Sequence, residues 1–212
     1  MARREAFKPC TSFVLKAIMI GINLAMLTFS TYTWGFIMTF QQLTNLVVVI
    51  EILHLAISLK CSTDPDIKNK LNWLAAHHLT FELICPLNFL VVTVYWSVLR
   101  ESALVWCDTA DKQLHTTIVH LLPLIFNLVA FAYTDIVIKA HHATFLWPIG
   151  IAYGFLNYKA TIKQGFPVYD FLPWTDIWSP IAVVLLLLAA VIFFVSLAQL
   201  TKMIKRGSKL AD

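Results

Sequence analysis

Charge is what this sequence has least of. Asp, Glu, Lys and Arg make up 13% of its 212 residues, where a soluble globular domain carries roughly 25%. With hydrophobic residues at 59%, too little charge remains to keep a surface of this size in water. Four cysteines (Cys10, Cys61, Cys85 and Cys107) form no CxxC pair and follow no regular spacing, which argues against both a disulfide framework and a zinc site. No GxSxG elbow and no HExxH helix occurs, so the usual serine-hydrolase and metalloprotease routes find no support. The formal net charge of +4 sits mostly at chain ends and loops. It reads as a topology signal and not as a nucleic-acid footprint.

What the sequence does have is long apolar runs. A hydrocarbon layer ~30 Å thick takes ~20 apolar residues as a helix. Six stretches reach or approach that length, at about Phe13–Thr31, Leu43–Leu59, Leu79–Leu99, Leu114–Ile138, Thr144–Tyr158 and Pro180–Leu200. The last is unambiguous, because Val183–Phe194 has no polar atom in any side chain. The fifth is short and holds Pro148 and Gly150, so a tilted, kinked or partly inserted segment is expected there. There is no internal repeat and no linker. These features predict a single all-α integral membrane domain over residues 1–212, with about six spans. The basic N-terminus precedes an apolar stretch interrupted by Lys16 and Asn23 with no small-residue cleavage site, which reads as an uncleaved first span.

Six spans place both termini on one side. That side would carry eleven cations (Arg3, Arg4, Lys8, Lys60, Lys68, Lys70, Lys139, Lys202, Lys205, Arg206, Lys209) against four opposite (Arg100, Lys112, Lys159, Lys163). The positive-inside rule therefore sets both termini on the cytoplasmic or equivalent side. Seven tryptophans (Trp34, Trp73, Trp96, Trp106, Trp147, Trp174 and Trp178) lie at span ends, as an interfacial belt requires.

Ionisable groups at membrane depth are costly, which makes them functional candidates. The second span sets Thr44, Glu51 and Ser58 on one stripe, with His54 one turn from Glu51. The fourth sets Thr116, His120, Asn127 and Thr134 on another, with His115 at its upper end. Facing inward, these stripes would enclose a polar pocket in which Glu51, His54 and Asn127 contact substrate. The plainer reading of a lone Asn or Thr, such as Asn23, Asn88 or Thr134, is an interhelical hydrogen bond worth about 0.6 kcal/mol. Lys16 and Glu82 are expected to reach the interface or to find a partner, and His77–His78 and His141–His142 to lie at the interface. Haem held between His54 and His120 is conceivable by depth, but no diagnostic spacing supports it. No cofactor or metal is expected.

Several fragments together resemble a known family. Leu43-Thr44-Asn45 opens the second span, and Pro86 and Trp96 punctuate the third. His115-Thr116-Thr117 and His120-Leu121-Leu122-Pro123 lie in the fourth, and Tyr153, Gly165 and Val168-Tyr169 close the last third. In these the chain is similar to the androgen-induced-gene (FAR-17a type) family of multi-span membrane proteins, some of which hydrolyse fatty acid esters of hydroxy fatty acids. The likeness runs from about residue 40 to 175. It implies a threonine nucleophile in an early span and a histidine partner in a later one. Thr44 matches the threonine best, with Thr39 as a competitor. His115 keeps the His-Thr-Thr sequence while His120 precedes the proline, and neither reproduces both features. His120 is preferred because it shares the inward stripe with Asn127. The endoplasmic reticulum or plasma membrane is the location the resemblance implies, with the mitochondrial inner membrane also open.

The chemistry is coherent. A threonine hydroxyl is a weak nucleophile that needs a base within ~2.6–3.2 Å, and a bilayer-soluble ester reaches a site at membrane depth without passing through water. Three functions compete: an intramembrane lipid-ester hydrolase, a non-catalytic subunit packing helices and lipid within a membrane complex, and a small transporter or haem-carrying protein. Membrane lipids are partners in each, and nucleic acid in none.

Overall fold

A computed structural model describes residues 13–64, 71–133 and 136–208. Arg3, Arg4, Lys8, Cys10, Lys68, Lys70, Thr134 and Lys209 lie outside the described residues. The described residues are helical, with no strand among them. Helix α1 (Phe13–Trp34) is followed at once by the short α2 (Phe36–Gln41) and by α3 (Leu43–Thr63). Helix α4 (Leu71–Val94) passes through a π-helical turn, Tyr95–Leu99, into α5 (Arg100–Trp106). After α6 (Ala110–Tyr133), a 3-10 segment, Ala140–Phe145, leads into α7 (Leu146–Gln164), and α8 (Trp178–Ser208) is the last described helix.

Five segments are long and apolar enough to cross a membrane: Phe13–Trp34, Leu43–Thr63, Asn72–Trp106, Ala110–Ala132 and Trp178–Ile204. They correspond to the first, second, third, fourth and sixth expected spans. The remaining one is a 19-residue helix, α7, whose second half carries Asn157, Lys159, Thr161, Lys163 and Gln164. That polar half keeps it out of the five. Pro148 lies in the first turn of α7, where a missing N–H costs no intrahelical bond. Gly165, at φ 78°, ends the helix in the left-handed conformation that glycine adopts without strain.

Helix α4 is the hub. It packs on α3, α6 and α8, while α1 packs on α3 and α6, and α7 on α8. Accordingly every residue from Phe81 to Asn88 is buried. Helix α8 instead buries one stripe (Leu187, Ala190, Phe194, Leu197, Ala198) and exposes Val184, Leu185, Leu188 and Ile192. The first set recurs at helical spacing and meets the bundle; the second is the apolar surface a bilayer would cover. Lipid gives helices no hydrophobic drive to associate, so close approach of small residues matters more. Gly150 and Gly154 of α7 supply it: a Cβ built at Gly150 would stand 2.0 Å from Leu187 Cδ2, and one at Gly154 3.3 Å from Val183 Cγ1.

Lys16 has the partners expected of it. Its buried ammonium donates to Ser62 Oγ at 2.6 Å and to the Ser58 carbonyl at 3.3 Å, tying the start of α1 to the end of α3.

Candidate functional site

The start of α3 is fixed by a chain of hydrogen bonds. The Leu43 N–H donates to Tyr169 Oη at 2.9 Å, and Tyr153 donates to the Gln41 carbonyl at 3.0 Å. Burial pushes the Tyr169 hydroxyl above its usual range, so it remains a neutral acceptor for that first-turn N–H. Asn45 completes the clamp, donating to the Thr39 carbonyl at 3.1 Å and to Gln42 Oε1 at 3.0 Å. Thr44, one residue into α3, is thereby held with its side chain 6% exposed.

Opposite it stands His120 of α6. Thr44 Oγ1 and His120 Nε2 are 3.0 Å apart. The other ring nitrogen, Nδ1, lies 2.7 Å from the Thr116 carbonyl. A carbonyl only accepts, so Nδ1 carries the proton, and the neutral ring offers its lone pair at Nε2. The Thr44 hydroxyl therefore donates to Nε2. Tyr95 lies flat against the imidazole, with ring centroids 3.9 Å apart and planes 12° from parallel. Tyr95 opens the π-helical turn, a local widening of the helix that recurs at functional sites.

Thr39 is not a second candidate in this geometry. It is fully buried, and its hydroxyl donates to the Gly35 carbonyl at 2.9 Å. His115 is paired elsewhere: its Nε2 is 2.8 Å from Ser30 Oγ of α1. The ambiguity between the two histidines thus resolves into two hydroxyl–imidazole pairs, Thr44–His120 and Ser30–His115.

Two cavities meet at Thr44 and His120. The first opens between α3, α4, α7 and α8 and is lined chiefly by Leu, Val and Ile side chains. The second lies between α1, α3, α5, α6 and the 166–170 segment, and is lined by Ser30, Gln42, Ser102, His115 and Asp170 among others. Thr44, His120, Leu99 and Tyr169 line both. At the edge of the second chamber Lys112 stands over the Trp34 ring and pairs with Asp108 at 2.6 Å, holding that carboxyl below its usual range.

Comparison of the chain with protein-family models, curated proteins and solved structures finds no match. The reading of the site rests on its own geometry.

Glu51, His54 and Asn127 were expected to share the pocket with Thr44, and none of them lines either chamber. Glu51 sits where four helices meet, accepting from Asn88 Nδ2 at 2.9 Å, Asn127 Nδ2 at 3.3 Å and Asn23 Nδ2 at 3.4 Å. Asn127 also donates to the Pro123 carbonyl at 2.9 Å. Three amides around one buried carboxyl group join α1, α3, α4 and α6. His54 is bonded to Thr80 at 3.0 Å and faces His77 and Phe81, whereas His120 faces Tyr95.

His77, expected at the interface, is 2% exposed and packs against His54. Glu82 has found partners: fully buried, it accepts from the Lys139 N–H at 2.6 Å and pairs with His78 at 3.1 Å and with His142.

Sequence reasoning missed Ser30, Gln42 and Tyr95. Ser30 and His115 are 85 positions apart and no spacing links them. The π-helical turn that aims Tyr95 has no composition signature either.

Proposed function

We propose that this chain is a multi-pass membrane ester hydrolase in which Thr44 is the nucleophile and His120 its base. The observation that carries the reading is the 3.0 Å contact between Thr44 Oγ1 and an imidazole nitrogen whose tautomer leaves it free to accept. General-base activation of a hydroxyl needs that contact and contributes about 10²–10⁴-fold in rate.

The reaction divides into two halves. Thr44 Oγ bonds to the ester carbonyl carbon while its proton passes to His120 Nε2. The tetrahedral intermediate expels the alcohol, whose oxygen takes that proton as the C–O bond breaks. Water, deprotonated by the same nitrogen, then attacks the acyl-threonine. The carboxylic acid leaves and the proton returns to Thr44.

The negative oxygen of each intermediate needs donors. The first turn of a helix supplies N–H groups that lack intrahelical acceptors. At the head of α3, Leu43 N–H is bound to Tyr169 and Leu46 N–H to the Gln42 carbonyl. Thr44 and Asn45 N–H have no acceptor among the described residues.

Two chambers meeting at one hydroxyl suit an ester, whose two halves diverge from the reacting carbon. The apolar chamber fits an acyl chain, and its walls of α7 and α8 lie toward the lipid-facing side of the bundle. Six spans, counting α7, put both termini on the positive side and the Thr44–His120 pair toward the other face. That topology gives lipid substrates lateral access and gives water access from the less positive side.

Labelling by a fluorophosphonate probe tests the reading. Wild-type protein in detergent should be labelled covalently, Thr44→Ala and His120→Ala should not, and Thr39→Ala should be labelled normally. Labelling that survives Thr44→Ala, or that never occurs in wild type, removes the hydrolase reading and leaves a packing or lipid-holding subunit.

A further inference from the structure

The second chamber contains a hydroxyl–imidazole pair that the reaction does not use. Ser30 is 1% exposed, and its hydroxyl has one partner among the described residues, His115 Nε2 at 2.8 Å. A buried Ser–His pair facing a cavity is amphoteric. The hydrogen bond between them can run either way, so the pair presents a donor to an acceptor ligand and an acceptor to a donor ligand. Gln42 lines the same chamber. Its Oε1 accepts from Asn45 at 3.0 Å, while its Nε2 has no acceptor among the described residues and remains a donor for a ligand.

The charges of the chamber narrow the ligand further. Asp170 is its only formally charged lining residue, and no Lys or Arg lines it. The cation at its edge, Lys112, is already paired with Asp108 at 2.6 Å. An anionic group placed here would face a carboxylate and gain no cation, which disfavours it. A cationic group would have no use for the donors of Gln42 and the Ser–His pair. A neutral alcohol bearing further hydroxyls matches donor for acceptor and acceptor for donor.

We propose that the second chamber binds the alcohol half of the ester through Ser30, His115 and Gln42, and that this alcohol is a neutral polyol, of which glycerol is the simplest. The inference rests on the Thr44–His120 reading for its orientation: the acyl chain lies in the apolar chamber, the carbonyl at Thr44, and the free hydroxyls beside Ser30. It assigns the substrate class as mono-acyl esters of a polyol, in contrast to esters whose alcohol half carries a carboxylate or a phosphate.

Two measurements on the full chain in detergent test it. The first compares kcat/KM for 1-oleoylglycerol, the oleoyl ester of 12-hydroxystearic acid, oleoyl-lysophosphatidylcholine and p-nitrophenyl octanoate. The glycerol ester should exceed the anionic and phosphate-bearing esters by about tenfold or more. Ser30→Ala should lower the ratio of glycerol ester to p-nitrophenyl ester by about tenfold, and His115→Gln by less, because the amide still reaches Ser30. The second measures equilibrium binding of the non-hydrolysable 1-O-hexadecylglycerol to Thr44→Ala, with and without Ser30→Ala; binding should weaken about tenfold when Ser30 is lost. Hydrolysis of p-nitrophenyl octanoate with no preference for the glycerol ester, or with preference for either charged ester, overturns the subsite and leaves the Thr44–His120 reading standing. Selective ether binding without turnover of any ester does the reverse. Ether binding that Ser30→Ala leaves unchanged overturns the subsite whatever the turnover.

Discussion

Tyr95 and His120 lie face to face, 3.9 Å between ring centroids and 12° from parallel. The stack, together with the bond from Nδ1 to the Thr116 carbonyl, leaves the imidazole one orientation, with Nε2 on Thr44. Small errors of placement at a reacting group are costly in rate. Tyr95→Leu should therefore lower kcat for p-nitrophenyl octanoate about tenfold or more with little change in KM, while Tyr95→Phe, which keeps the ring, stays near wild type. Equal losses in the two variants would assign the effect to the hydroxyl and not to the stack.

Gly150 sets the width of the apolar chamber. A Cβ there would meet three side-chain carbons of Leu187, the nearest at 2.0 Å. In Gly150→Ala the leucine must swing away, and the chamber it also lines is the nearest open space. Preference should shift toward shorter acyl chains, with the ratio of octanoyl to octadecenoyl ester turnover rising about fivefold or more, since a methylene in an apolar pocket is worth ~1–3 kcal/mol. An unchanged chain-length profile would mean the acyl group lies elsewhere.

Glu51 is predicted to hold the bundle together. Glu51→Gln turns part of an acceptor toward the donors Asn23, Asn88 and Asn127, and an orphaned buried polar group costs about 1–3 kcal/mol. The melting temperature in detergent should fall measurably. Pairing Glu51→Leu with Asn88→Leu should cost less than the sum of the two single changes, because fewer groups are left unsatisfied. Additive losses would show that the carboxyl group and the amide do not interact.

Much of this was readable in the sequence, for reasons that differ by residue. Five of the six expected spans recur as long apolar helices because hydropathy over ~20 residues is a strong, local signal. The register placing Thr44 and His120 on inward stripes came from helical spacing alone, and their contact follows once α3 meets α6. The same spacing put Glu51 and Asn127 inward but could not say at what depth the cavity ends. Each lies about two turns along its helix from Thr44 and His120 respectively, and they became a knot between helices. Ser30 was invisible, since a serine near the end of an apolar helix carries no pattern. Tyr95 was invisible as well, because its direction depends on a π-helical turn. Pro148 and Gly150 suggested a tilted, kinked or partly inserted segment; in the structure Pro148 occupies the first turn of α7, where a proline costs no intrahelical bond.

Topology gives a prediction independent of chemistry. In a cysteine-free background, Lys60→Cys at the end of α3 and Thr109→Cys between α5 and α6, both exposed positions, should be labelled by an impermeant maleimide from opposite sides of a sealed vesicle. Labelling of both from one side would overturn the six-span arrangement. The native Cys61 and Cys107 are buried and report poorly.

The most direct measurement is the site of the covalent adduct. Wild-type protein treated with the fluorophosphonate and digested should yield, by tandem mass spectrometry, a phosphonylated peptide whose modified residue is Thr44, and His120→Ala should yield none. An adduct on Ser30 or Thr39, or no adduct at all in folded wild-type protein, would contradict a Thr44 nucleophile activated by His120.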